Sequence, residues 1–197
     1  MDRLRCRQDE LPSYLYRVQY EGTNTKLVGG SLFAAETRTV YREHDLDAFK
    51  QCIVKQLTWS NDIKTPYIAL FSHHQHAKNW ARKMGDQTTL LTIATAALGN
   101  AYIFKLSTLL ERLSFGIPEA SSQHIPGAYL CLHRVPAAAI VHVTTINDIR
   151  MGGYSSFKIL GVLSLILLPL FQKRLGAKRA PSVTYPTTPM IARTRPL

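Results

Sequence analysis

The spacing of hydrophobic and polar positions changes within residues 66–84, which predicts a strand followed by a helix. Residues 66–71 are mostly aliphatic or aromatic, as in a buried strand. After them, apolar side chains recur at the three- and four-residue spacing of one helix face: Ala77, Trp80, Ala81 and Met84. Ser72, with Gln75 three residues later, predicts a capping box at the helix start. A strand that ends at a helix N-terminus favours anions, phosphate included.

The remaining pattern predicts an α+β domain over residues 11–149. Short β-branched or alternating segments predict strands at 14–20, 88–95, 101–104, 129–135 and 140–144. Helices are expected behind Asp45 and behind Thr108, each a good N-cap residue. The glycine- and serine-rich residues 21–41 and 114–127 are expected to be long connections. Short strands mixed with two or three helices predict small split sheets, mixed or antiparallel, packed against those helices.

The positive charge of the chain is concentrated outside this domain. The net charge is +11, yet eight basic residues and no acidic one follow Asp148. Residues 8–149 are nearly neutral, with thirteen basic and twelve acidic side chains. A nucleic-acid-binding domain is expected to carry its basic excess on the folded surface. The charge distribution therefore does not favour nucleic acid as the partner.

The C-terminal sequence predicts an apolar helix over residues 150–172 and a disordered, basic, proline-rich tail over 173–197. Residues 159–171 are an uncharged run of thirteen, shorter than the roughly 20 residues that span a bilayer. A segment from Met151 to Phe171 is long enough to span a bilayer, provided that the Lys158 side chain reaches the membrane interface. Two interpretations stay open, namely membrane association through this segment and a helix packed on the domain.

The N-terminus and the cysteines are typical of an intracellular protein. Residues 1–10 have no apolar core segment, and their first seven carry three arginines against one aspartate. They are expected to form a flexible basic arm rather than a secretory signal. The three cysteines are isolated and odd in number, without a C-x-x-C pair: Cys6, Cys52 and Cys131. This favours a reducing compartment.

The histidines and cysteines do not form a convincing catalytic or metal pattern. His73 and His76 share neighbouring helix surface, but a metal site needs a third ligand from elsewhere, so no metal is expected. A Cys131–His133 nucleophilic pair is disfavoured because Cys131 lies in an apolar strand. Ser72 has no acidic partner for a histidine base and no G-x-S-x-G turn.

Long segments of the chain resemble an uncharacterised fungal family described only as domain of unknown function 7587. The resemblance lies in LYRVQY, TVYREHDLDAFK, TPYIALFS, HAKNWA, AYIFKLSTLLERL and QHIPGAYLCLHRVPAAAIV. It spans roughly residues 11–149. It implies no established activity.

The order of LYRV, YIALFS with its helix, TLLTIATA and GAYLCLHRVPAAAI is also similar to mono-ADP-ribosyltransferases of the heat-labile-enterotoxin type. In that family a first-strand arginine steadies the phosphates of NAD, and Arg17 matches it. A Ser-Thr-Ser motif supports the site there, whereas residues 69–71 are Ala-Leu-Phe and Ser72 is displaced by one. A late glutamate stabilises the positive charge of the reacting ribose, but Ala128 stands at that position here.

The resemblance implies a degenerate site with Arg17, Ser72 and Tyr129 around one cleft for a nucleotide or a phosphate. The simplest alternative for Arg17 is a solvated strand arginine or a satisfied ion pair. Two functions stay open. One is a catalytically weak or inactive NAD-binding domain, with NAD as its ligand. The other is a module that binds a protein partner and is tethered to a membrane by the C-terminal apolar segment.

Overall fold

The computed structural model describes residues 1–58 and 62–151 of the 197-residue chain. This part contains four α-helices: α1 (Leu46–Leu57), α2 (His74–Lys83), α3 (Leu106–Leu113) and α4 (Ile146–Arg150). It also contains nine strands: β1 (Tyr14–Gln19), β2 (Lys26–Val28), β3 (Ser31–Phe33), β4 (Tyr67–Phe71), β5 (Thr89–Ala94), β6 (Ile103–Lys105), β7 (Ala128–Leu132), β8 (Arg134–Val135) and β9 (Ile140–Thr145). The predicted α+β class is confirmed.

A six-stranded sheet in the order β6-β7-β4-β1-β5-β9 forms the centre of the described structure. Every neighbouring pair in this sheet is antiparallel. β1 pairs with β5 over six residues, from Tyr14 opposite Ala94 to Gln19 opposite Thr89. Because side chains alternate between the two faces of a strand, this register sends Leu15 to one face and Val18 to the other, and both are buried.

A second, three-stranded sheet in the order β2-β3-β8 corrects the prediction for residues 21–41. These residues were expected to form one long connection, but β2 and β3 form an antiparallel hairpin around Gly29 and Gly30. Their φ angles of 54° and 75° lie in the left-handed region, which glycine adopts without steric cost. Two such residues in succession are typical of a tight hairpin turn. The hairpin was missed because β2 has three residues and all are exposed.

The predicted strand 129–135 is interrupted at His133, whose φ is 62°. The interruption separates β7 from β8, and the two strands then join different sheets. β7 pairs with β4 over five residues, from Tyr67 opposite Leu132 to Phe71 opposite Ala128. β8 pairs with β3 in the small sheet. A single residue in the left-handed region thus links the two sheets.

The small sheet covers one face of the central sheet, and the helices cover the other. Toward the small sheet, the core combines central-sheet residues such as Ile140 with Leu32 and Val135 of the small sheet. On the other face, α1 and α3 pack over β4, β7 and β6, with Phe49, Leu109 and Leu130 in one cluster. α2 and α4 pack over β1 and β5 in a separate cluster that contains Val18. The helices therefore form two groups on the same face.

β1 and β4 are neighbours at one point, and this splits the central sheet between the two helix groups. Tyr16 lies opposite Phe71, and no other register pair joins these strands in the described residues. β1 beyond Tyr16 and β4 before Phe71 consequently separate. We call the gap between residues 17–20 and 67–70 the fork.

The start of α2 differs from the predicted capping box. The N-cap residue is His73, and its side chain makes no capping hydrogen bond. The Ser72 hydroxyl instead contacts His73 Nδ1 at 3.2 Å, and Gln75 donates to Asn79. Thr108 is not the N-cap of α3 either, because that helix begins at Leu106. Both predicted capping residues are therefore wrong, although both helices are present.

The N-terminal residues lie against the domain. Leu4 is buried, and the Cys6 N–H donates to the Ile103 carbonyl at 2.8 Å, on the outer edge of β6. The flexibility predicted for residues 1–10 stays a prediction. The predicted apolar helix and tail lie, from residue 152 onward, outside the described residues. Within residues 1–58 and 62–151, no helix is long and apolar enough to cross a membrane.

Phe49 is the residue whose truncation tests the packing of α1 most directly. Its ring is 0% exposed and meets Tyr41, Tyr67 and Phe104 with centroids at 5.2, 6.0 and 5.3 Å. We expect Phe49→Ala to lower the free energy of unfolding by about 3–5 kcal/mol in urea denaturation. The control, Leu27→Ala at an exposed position, should change it by less than about 0.5 kcal/mol. Equal effects of the two substitutions would contradict this packing.

Candidate functional site

Arg17 extends its guanidinium across the fork. Nη1 donates to the Ala69 carbonyl oxygen on β4 at 3.2 Å, and Nη2 donates to Thr25 Oγ1 at 3.0 Å. β1 and β4 have no register pair at these residues, and the arginine side chain connects them instead. β1 positions the side chain because its neighbours Tyr16 and Val18 are fixed in the core on the opposite face.

A small polar network holds the guanidinium in this position. The Thr25 hydroxyl accepts from Arg17 and donates to Gln19 Oε1 at 2.7 Å. Gln19 in turn donates from Nε2 to the Thr25 carbonyl at 2.8 Å. Thr25 is buried, so these bonds are shielded from water. The network restricts the orientation of Arg17 before any ligand binds.

The Arg17 side chain is half-buried, and no carboxylate balances its charge among the described residues. Its Nε is buried and has no hydrogen-bond partner in the same part of the chain. Burial lowers the pKa of Arg17 to about 10, so the group is still protonated at neutral pH. A retained, partly desolvated positive charge is stabilised by a nearby anion.

A cavity of about 70 Å³ lies at the fork next to this guanidinium. Its walls come from β1, β4, α1, α2 and the segments around residues 20–25 and 63–65. No aspartate or glutamate lines it, whereas Lys55 adds a second cation at its exposed side. Tyr67, Phe71 and Trp80 supply an aromatic wall. Polar groups on one side and aromatic surface on the other are typical of small-molecule sites.

Of the three predicted site residues, Arg17 lines the cavity, and Ser72 and Tyr129 do not. Ser72 lies beyond the closed end of the fork, where its N–H donates to the Gly127 carbonyl at 2.8 Å. Tyr129 is 5% exposed and lies opposite Leu70, on the face covered by the small sheet. Burial raises the pKa of the Tyr129 phenol. The structure therefore does not bring the three side chains together at this cavity.

Ala128 occupies a buried position in register with Phe71, and is 9% exposed. It belongs to the cluster packed under α1 and α3. No carboxylate therefore projects from this position, nor from the lining of the fork cavity.

Sequence reasoning missed several residues that line the cavity with Arg17: Thr25, Lys55, Tyr67 and Trp80. Trp80 was assigned to the apolar stripe of α2, which is correct but incomplete, because α2 borders the cavity. Thr25 lay within a predicted loop and gave no signal. The contact between Thr25 and Arg17 depends on how the chain turns after β1, which the residue types alone do not specify.

Two of the histidines, His76 on α2 and His124, lie next to each other. His76 Nε2 and His124 Nδ1 are 3.4 Å apart, and the His124 ring meets Trp80 edge-on at 5.2 Å. The described residues contain no group of three or more side chains that could hold a metal ion.

Cys131 is fully buried, and burial raises the pKa of its thiol to about 12, so it is not a nucleophile at neutral pH.

Four surface grooves among the described residues are wider than the fork cavity, with volumes of about 390 to 540 Å³, and each has an acidic side chain in its lining. Asp2 lines two of them, and Asp148 and Asp86 line the other two. The fork cavity differs from all four because the half-buried Arg17 cation lines it and no acidic side chain does. It is the strongest candidate for a ligand site in the described part of the chain.

His124 should make stability depend on pH. Burial, followed by the charges of His76 and Lys83, lowers the pKa of His124, so the unfolded chain binds this proton more tightly than the folded protein. The resulting stability is complete above the ordinary histidine pKa of about 6.5 and is lost as pH falls below it. We expect His124→Asn to flatten the fall in melting temperature between about pH 7 and pH 5. An unchanged slope in a folded His124→Asn protein would contradict the account.

Comparison with known proteins identifies the family but no activity. A search of curated proteins finds no match to the chain. Residues 10–149 match the family described as a domain of unknown function, DUF7587. This range includes α1 to α4 up to Ile149 and all nine strands, so the fork and its cavity lie within it. The resemblance stated from the sequence is confirmed at the level of the family, and the chain belongs to the DUF7587 family.

Proposed function

We propose that this domain binds a phosphate-bearing dinucleotide of the NAD type at the fork and is catalytically weak or inactive. The observation that carries the proposal is the half-buried Arg17 guanidinium, which lines a cavity and has no carboxylate partner among the described residues. Its Nε has no hydrogen-bond partner in the same part of the chain. Partial desolvation of an unpaired charge is costly, and an anionic ligand offsets that cost.

The composition of the cavity supports this ligand class. Arg17 can offer Nε to a phosphate oxygen, and Lys55 lies at the rim. The side chains of Tyr67 and Trp80 give flat apolar surface for a heteroaromatic ring. Burial raises the pKa of the Tyr67 phenol well above its usual range, so Tyr67 adds no negative charge. An arginine on the first strand also agrees with the resemblance to ADP-ribosyltransferases.

The expected lack of turnover rests on the missing carboxylate. Cleavage of the nicotinamide bond develops positive charge on the ribose, which a nearby carboxylate stabilises. Ala128 stands at the position that the resemblance assigns to that glutamate, and the cavity lining contains no acidic residue. Loss of such a group costs several kcal/mol of transition-state stabilisation. Binding of NAD without its hydrolysis is therefore the function we propose.

Arg17→Gln tests this function, because the amide retains a donor near Ala69 but removes the charge. We expect isothermal titration to show saturable NAD binding by the wild type and about ten- to a hundredfold weaker binding by Arg17→Gln, the effect of losing a charged hydrogen bond. NAD should also raise the melting temperature of the wild type more than that of the variant. Nicotinamide release should stay at background in both.

The matched control is Arg82→Gln, the same substitution on the exposed side of α2. It should bind NAD as the wild type does. Equal affinities of all three proteins, with normal melting curves, would contradict the proposal, as would a wild type that does not bind NAD. Rapid nicotinamide release by the wild type would contradict its catalytic part.

A second candidate function is a non-enzymatic module that binds a protein partner and is tethered to a membrane. The uncharged run of residues 159–171, followed by Lys173 and Arg174, favours it. If the tether exists, carbonate-washed membranes should retain the full chain and release a chain that ends at Ile149. Release of both chains would contradict the tether, and measured NAD binding would favour the first function for the domain itself.

A further inference from the structure

The fork cavity is too small for the ligand class that its chemistry suits. It measures about 70 Å³, whereas pockets that hold cofactor-sized molecules measure about 300–1,000 Å³. A dinucleotide can therefore enter only if one of the walls moves. Most of the walls belong to β1, β4, α1 and α2, which are anchored in the hydrophobic clusters on the helix-covered face.

One wall is a short irregular segment between β1 and β2, residues 20–25, which we call the strap. Tyr20, Thr23, Asn24 and Thr25 line the cavity from it. Glu21 and Gly22 at its turn are exposed, and Gly22 has a φ of 84°. A short turn with exposed residues opens at a lower free-energy cost than a packed helix or strand.

The strap is fastened to the far side of the cavity by one hydrogen bond that is distant in sequence. Asn24 Nδ2 donates to the Ile63 carbonyl at 3.1 Å, across 39 residues of chain. At its other end, Thr25 Oγ1 accepts from Arg17 Nη2 at 3.0 Å. The closed strap therefore both covers the cavity and occupies one of the donors that a phosphate would use.

We propose that the strap is a gate: it opens by releasing the Asn24–Ile63 hydrogen bond, admits the dinucleotide, and frees Arg17 Nη2 for the phosphate. This inference rests on the proposed function. One movement of the strap would therefore both enlarge the cavity and make Arg17 Nη2 available to the ligand. A ligand that binds only the open form has its affinity reduced by the fraction of molecules that are open.

Asn24→Ala tests the gate, because it removes the fastening bond and leaves Arg17, Thr25 and the aromatic wall unchanged. Without ligand, we expect faster amide hydrogen exchange in residues 20–25 of the variant. With NAD as the probe, we expect about two- to tenfold tighter binding, since a neutral hydrogen bond no longer opposes opening. Asn100→Ala, at an exposed turn away from the fork, should match the wild type in both measurements. Melting curves confirm that each variant is folded.

The outcomes separate the gate from the proposed function. Tighter NAD binding with faster exchange in Asn24→Ala supports both. NAD binding of equal strength by the wild type and Asn24→Ala overturns the gate and leaves the proposed function standing, whether or not exchange in the strap changes. No NAD binding by any of the proteins overturns the proposed function and the gate that rests on it.

Discussion

The structure depends on one constraint, a positive charge held between two strands that separate. β1 and β4 pair only at Tyr16 and Phe71, and beyond that point Arg17 spans the gap to the Ala69 carbonyl. A side chain without a donor would leave the Ala69 carbonyl without this hydrogen bond, whereas an acidic partner would neutralise the arginine. The chain uses a carbonyl and the hydroxyl of Thr25 instead, so the charge is oriented but not cancelled.

The arrangement of the helices follows from the same fork. α1 and α3 cover the strands on one side of it, and α2 and α4 cover the strands on the other. Each group has its own hydrophobic cluster, so neither has to fill the gap between them. The cavity is what remains between α1 and α2, with Trp80 and Tyr67 facing it from the two sides. The fork therefore determines both how the helices pack and where the cavity lies.

Most of the fold follows from local sequence pattern, but the site follows only in part. α1, α2, β1, β4 and β5 have strong periodicity and were predicted, and Arg17 was identified from its central position on β1. Ser72 and Tyr129 were expected beside it, yet Ser72 lies past the closed end of the fork and Tyr129 lies on β7, which β4 separates from β1. Strand alternation shows which face a residue takes only when the register between strands is known, and sequence does not provide that register. The contact of Thr25 with Arg17 and the position of Trp80 at the cavity likewise depend on tertiary structure that the local sequence pattern does not specify.

An anion at the cavity would balance the half-buried Arg17 charge, which has no carboxylate partner among the described residues. The most direct measurement of this is the nitrogen-15 resonance of the Arg17 Nε–H group, identified by its loss in Arg17→Lys, during a titration with NAD. The account predicts that this resonance moves saturably, because Arg17 lines the cavity and its Nε has no hydrogen-bond partner in the described residues. A resonance that stays unchanged throughout the titration, in a protein that is folded, would contradict it.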